Sequence, residues 1–195
     1  FALAEPEVDA LQHQLEQALY LGVRQLNWAG ATWAGVNFHD DSRCIDYLLT
    51  RPEVDPERIG CAGLSGGAWR TNILAALDSR IKASVSVGWM TTGDAQFTHD
   101  VEGVVGTFCL LPGVWDRMDI PDLSILAAPN PVMVVSCLQD ELFPPDGQRE
   151  ADRQIREGFL WAGCPGKFHS FLPPKPHCFD ADIQREALDW LDANL

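Results

Sequence analysis

The sequence predicts an α/β layer fold built on a parallel sheet. Two observations carry this. From residue 59 onward, short apolar runs alternate with helical stretches, the pattern of a layered sheet covered by helices. The clearest run, Val132 to Cys137, is β-branched and continuous, as strands buried on both faces are.

The elements follow in order. Residues 6–26 place Val8, Leu11, Leu15, Leu19, Val23 and Leu26 at three- and four-residue steps, an amphipathic helix with Pro6 in its first turn. Residues 34–50 form a second helix that Pro52 stops. Asp55-Pro56-Glu57-Arg58 is a polar connector. Strands are predicted at 59–64, 83–88, 132–137 and 168–172, and helices at 66–78, 147–162 and 180–194. Residues 90–127 mix Gly, Thr, Pro and Asp with Phe97, Trp115 and Met118. They read as loops with short helices, an excursion that either caps a pocket or packs the core. The whole, 1–195, reads as a single partial domain. Four strands make a small sheet, so further strands are expected in an N-terminal segment outside this sequence. A chain opening Phe1-Ala2-Leu3-Ala4-Glu5 reads as a piece of a longer polypeptide.

Composition narrows the function classes. Twenty-eight acidic residues face 14 basic ones, a formal net charge of −14. That field disfavours nucleic acid and anionic membranes as partners. No apolar run reaches the roughly 20 residues of a membrane helix. The six cysteines form no CxxC pair, which argues against a zinc ribbon or a thioredoxin site. Cys61 and Cys137 sit in apolar strands as small hydrophobes. A reducing, cytoplasmic compartment is expected, with no cofactor and no metal; His99 beside Asp100 is too little for a metal site.

The chemistry is expected at Gly63-Leu64-Ser65-Gly66-Gly67, a G-x-S-x-G elbow between a strand and a helix. A nucleophile on so sharp a turn sits in strained backbone, and small neighbours at Gly63 and Gly67 make room for it. Ser65 then projects at a helix N-terminus, and the Gly66 N–H is placed as an oxyanion-hole donor. A serine hydroxyl needs a base. Of the five histidines, His13 and His39 fall on helix surfaces, His99 in the irregular region, and His169 within a strand, where packing is expected. His177 follows the last strand and precedes the last helix, where a loop reaches the carboxyl edge of the sheet; it is the expected base. The third group should follow a strand and lie between Ser and His in the chain. Asp140 meets both conditions. Its neighbour Glu141 should point elsewhere, and Asp146 suits a helix cap.

These residues resemble the dienelactone-hydrolase-like and acetyl-xylan-esterase-like branch of the α/β-hydrolases. The approach Ile45 to Gly60, the elbow, the run Ala76 to Ala83, the acid loop Asp140-Glu141-Leu142-Phe143-Pro144 and Pro176-His177 before the last helix carry the resemblance, which covers about residues 30–195. It implies the α/β-hydrolase fold and cleavage of small carboxylic esters through an acyl-enzyme on Ser65, His177 and Asp140. Leu64, Trp89 and Trp115 are the expected substrate contacts. The sequence departs from the branch in two ways. The strands that precede the elbow, with the loop donating a second oxyanion N–H, are not in it. Gln139 also stands before the acid, where a small residue is common. Haloalkane dehalogenation is disfavoured, because it needs Asp at the position of Ser65. Two alternatives stay open: a catalytically silent module used for assembly through an unpaired sheet edge, and a peptidase or acyltransferase on the same triad. A homo-oligomer is left open beside the missing segment.

Overall fold

The four apolar runs form four strands: β1 (Gly60–Leu64), β2 (Ala83–Val87), β3 (Val132–Val135) and β4 (Phe168–Phe171). A computed structural model describes residues 5–99, 105 and 110–195. The strands pair in sequence order, β1-β2-β3-β4, and every pairing is parallel. β2 and β3 are central and buried along their whole length, which explains their continuous Val-rich sequences.

Seven helices are described: α1 (Glu5–Trp28), α2 (Trp33–Leu48), α3 (Gly66–Leu77), α4 (Gly93–His99), α5 (Ile120–Ile125), α6 (Pro145–Trp161) and α7 (Ala181–Asn194). They cover both faces of the sheet. On one face Ala68, Trp69 and Ile73 of α3 join Ile155 and Phe159 of α6 in the larger core. On the other, Ile183 and Ala187 of α7 pack on Val85, Val87, Met133 and Val135. The inward and outward residues of β2 and β3 thus feed two separate cores, as a doubly covered sheet requires.

Local signals set the boundaries. Gly30, at φ +76°, ends α1 where a left-handed residue is needed. The Thr32 side chain then accepts from Gly35 N–H to start α2. Asp180 caps α7 by accepting from Ile183 N–H.

The α1 stripe is only partly buried. Val23 is in the core, but Leu11 and Leu15 are 46% and 71% exposed. The three- and four-residue spacing gives the helix correctly, yet Leu11 and Leu15 of its apolar stripe stay exposed. The side chain of Val8 lies outside the described residues, as do residues 100–104 and 106–109 of the excursion, with Cys109 among them. The other five cysteines are free thiols. No helix of the described residues is long and apolar enough to cross a membrane.

Candidate active site

Ser65 joins β1 to α3 with φ 55° and ψ −122°, the one positive φ on a non-glycine among the described residues. Such backbone costs of order 1–3 kcal/mol and persists only where neighbours impose it. Here the Ser65 N–H donates to Val87 O at 2.8 Å, and Ser65 O accepts from Trp69 N–H at 3.0 Å. Gly63 makes the turn feasible: a Cβ there would land on the Gly67 carbonyl and 2.8 Å from Ala68 N. Gly67 does not share this constraint, contrary to the expectation, because a Cβ on it would meet nothing within 4 Å. The turn folds the Gly67 backbone over Gly63, while the Gly67 Cα itself faces outward. Ser65 makes no side-chain capping bond to α3. Gly66 opens the helix, where the first amides lack intrahelical acceptors.

Asp140 and His177 meet. His177 Nδ1 lies 2.5 Å from Asp140 Oδ2, and Asp140 is 4% exposed. With an ionised carboxylate this fixes the tautomer: Nδ1–H donates to Asp140, and Nε2 carries the lone pair. The other carboxylate oxygen, Oδ1, accepts from Leu142 N–H at 2.9 Å. Both oxygens are therefore engaged and the carboxylate cannot swing.

The acid loop and the histidine loop are laced through their backbones. Leu138 N–H donates to Pro173 O, and Gln139 N–H donates to Lys175 O. Gln139 thus contributes its amide, and its side chain is not what the position requires. Lys175 pairs with Asp180 at 2.7 Å and Asp182 at 3.1 Å, closing the histidine loop against the start of α7. The same ammonium holds the Asp180 carboxyl below its ordinary range.

The serine and histidine ends converge at Gly88. A Cβ on Gly88, at φ +65°, would stand 3.1 Å from His177 Cε1 and 3.4 Å from a methyl of Leu64. Val87, one residue earlier, is the acceptor of the Ser65 amide. Ser65, Gly88, Asp140 and His177 all follow the carboxyl ends of their strands, where open α/β sheets bind ligands.

The remaining candidates divide. Trp89 is placed in the core instead of at a substrate surface: it is 2% exposed. It lies edge-on to Phe143, with centroids 5.4 Å apart, and also packs against Trp69. Trp115 is half-buried and lines a cleft of about 680 Å³ with Phe97 and Met118, between α4, the segment before α5 and the start of α6. Leu64 is half-buried beneath the elbow.

His13 and His39 are on helix surfaces as expected. His169 is not packed: it sits on edge strand β4, exposed, 3.7 Å from Glu186. Edge position leaves its outer face open. His99 Nε2–H donates to Glu141 O at 2.9 Å, so this histidine steadies the acid loop. Asp146 lies in the first turn of α6, and Pro144 is the residue at its cap. Among the described residues no group of three or more His, Cys, Asp or Glu could hold a metal.

Sequence reasoning missed Gly88 and Gln148. Gln148, 1% exposed on α6, donates through Nε2 to Cys137 O at 3.1 Å and Phe143 O at 2.9 Å. A polar residue on the inner face of a helix was the available signal.

No protein-family model matches the chain. The chain is 25% identical to Putative hydrolase YtaP of Bacillus subtilis over 171 residues, covering 86% of the chain and 56% of that protein. It superposes on a carbohydrate esterase family 15 glucuronoyl esterase from Caldicellulosiruptor kristjansonii with TM-score 0.68 at 17% identity, covering 81% of the chain and 49% of the esterase. A methylesterase superposes with TM-score 0.63 at 21% identity, covering 82% of the chain and 35% of the methylesterase. The chain thus spans about half, or less, of the length of these proteins, and the likeness to the solved structures is one of fold.

Proposed function

We propose that this chain, which has the α/β-hydrolase fold, is the triad-bearing part of a serine esterase that cleaves carboxylic esters through an acyl-enzyme. The observation that carries the reading is the 2.5 Å pairing of His177 Nδ1 with buried Asp140, with the imidazole against Gly88, the residue after the Val87 carbonyl that accepts from the Ser65 N–H. That pairing leaves Nε2 as the basic nitrogen, which is the atom a serine base must use.

In this mechanism His177 Nε2 removes the Ser65 proton as Oγ attacks the ester carbonyl. The Gly66 N–H donates to the developing oxyanion, a contact worth about 100- to 1000-fold in rate in comparable sites. His177 then protonates the departing alcohol, and the acyl group stays on Ser65. Water, deprotonated by the same nitrogen, releases the acid and restores the hydroxyl. Asp140 steadies the imidazolium in both halves.

The substrate class we favour is an ester of a carbohydrate or another small alcohol or acid. Its support is the company of the fold, which includes a glucuronoyl esterase and a methylesterase. Leu64, directly before Ser65, is the substrate contact we place at the elbow; the cleft beside Trp115 is lined by none of Ser65, Asp140 and His177.

The test needs no substrate guess. Intact-mass analysis after fluorophosphonate treatment should give one stoichiometric adduct, absent in Ser65→Ala. Folded protein with no adduct would instead favour the silent module. Among the described residues no strand pairs with the outer edge of β1, the observation behind that second reading.

A further inference from the structure

Asp140 sits on a loop, yet it is buried and each of its carboxylate oxygens has a hydrogen-bond partner. Backbone–backbone bonds within the loop do not join its two ends. Asp140 N–H donates to Cys137 O at 3.0 Å, which closes one tight turn. Residues 141–143 then lead out of that turn toward α6, and nothing in their own backbone ties Phe143 back to Cys137.

Gln148 supplies that tie. Its side-chain amide nitrogen donates one proton to Cys137 O and the other to Phe143 O, at 3.1 and 2.9 Å. These two carbonyls begin and end the segment that carries Asp140. One rigid, planar NH₂ group therefore sets the separation of the loop's two ends. Gln148 is itself buried, in the inner row of α6 with Gly147, Ala151, Ile155 and Phe159. Gly147 beside it is also constrained, because a side chain there would run into Thr91 and Ala95. The first turn of α6 is thereby seated against the segment after β2, and Phe143 against Trp89.

We infer that Gln148 is the positioning residue of the acid, fixing the reach of Asp140 toward His177 without contact with substrate. This deepens the proposed function and rests on it for its kinetic consequence. The structural consequence stands independently: without the clamp, the Asp140 carboxylate keeps Leu142 N–H but loses the fixed frame that aims Oδ2 at Nδ1.

The physical reason is leverage. Displacing a catalytic group by about 1 Å can cost on the order of 100-fold in rate. Removing both donors from Gln148 takes this partner from the buried Phe143 carbonyl and leaves Cys137 O with the Asp140 N–H alone, so the two ends of the loop are no longer tied to each other.

The experiment compares Gln148→Met, which keeps length and volume but has no donor, with Ile155→Val. Ile155 lies seven residues further along the same buried row of α6 and has no polar side-chain atom, so its variant reports simple loss of packing. Two readouts are taken. The first is turnover of a chromogenic acetyl ester, separated into kcat and KM. The second is the far-downfield proton resonance of the His177 Nδ1–H···Asp140 bond, which needs no activity. The inference expects Gln148→Met to lower kcat about 10- to 100-fold with KM within about twofold, and to broaden or abolish the resonance. Ile155→Val should change neither, and Gln148→His, which restores a single donor, should recover part of both.

Wild-type kcat together with an unchanged resonance in Gln148→Met overturns the inference. An equal kcat loss in Ile155→Val also overturns it, because packing alone then explains the effect. If the wild-type chain shows the resonance but neither turns over ester nor takes the fluorophosphonate, the esterase reading fails. The resonance comparison then still decides the role of Gln148.

Discussion

Gly88 lies directly against the imidazole of His177: a Cβ on it would stand 3.2 Å from Nδ1 and 3.1 Å from Cε1. The glycine is the floor on which the ring rests. Its φ of +65° and its own N–H, donated to Val135 O at 2.9 Å, keep that floor in place.

Gly88→Ala should therefore slow the Ser65 reaction more than it harms the fold. The left-handed backbone costs roughly 1–2 kcal/mol for alanine. The added methyl must also push the ring by a few tenths of an ångström, away from the position that the Asp140 bond sets. We expect fluorophosphonate labelling at least about tenfold slower, with a melting temperature only a few degrees lower. Labelling at the wild-type rate would show that the imidazole can shift without consequence.

The elbow was legible in the sequence because its requirement is local. Two residues of backbone sterics select glycine at Gly63, and the strand and helix on either side are strongly patterned. Asp140 and His177 were legible for a different reason: chain order and position after a strand suffice once the sheet is parallel. Gly88 and Gln148 were not. Gly88 acts on His177 far along the chain, and Gln148 reaches back across a loop to Cys137, eleven residues earlier, and no helix or strand periodicity encodes either contact. The same gap explains Trp89 and His169. Their burial is set by which strand lies at the edge and which indole packs on Trp69, and local pattern carries neither. The stripe of α1 shows the converse, where a correct periodicity does not guarantee that a partner face is present.

The two glycines flanking Ser65 should respond in opposite ways. Gly63→Ala puts a methyl onto the Gly67 carbonyl, and backbone on backbone cannot yield cheaply. That variant should lose labelling altogether and unfold at markedly lower temperature. Gly67→Ala meets open space and lies in the first turn of α3, where alanine is the better helix former. It should label like wild type with unchanged or slightly higher stability. Equal damage from both would mean that Gly67 also needs its missing side chain.

Acid stability should depend on Asp78. This carboxylate is buried after α3 and accepts from Ser42 Oγ at 3.1 Å and from Arg80 Nε at 2.8 Å. Arg80 reaches on to Asp46 at 2.5 Å, so the group ties α2 to the end of α3. The Arg80 guanidinium holds the Asp78 carboxyl below its ordinary range. A depressed folded-state value means that the stabilisation is complete above the unfolded value of about 3.9 and is lost as pH falls through the lower, folded value. Asp78→Asn should cost about 2 kcal/mol near neutral pH, at the modest end for a pair whose arginine is partly exposed. Melting curves should show the gap from wild type constant above about pH 5 and closing below about pH 4. A gap independent of pH would assign the loss to packing.

Thiol reactivity should separate Cys61 from Cys44. Cys61 lies on β1, where burial pushes its thiol up to about 12. Cys44 is exposed on α2. The thiolate is the species that alkylates. At pH 8 a thiol of that strength is ionised to only about one part in ten thousand, so ionisation protects Cys61 although the residue is only half-buried. Brief iodoacetamide treatment of the folded chain, followed by peptide mass analysis, should modify Cys44 and leave Cys61 intact. Both should react in denaturant. Modification of Cys61 in the folded protein at a rate like that of Cys44 would mean that β1, an edge strand of the sheet, opens on the timescale of the reaction.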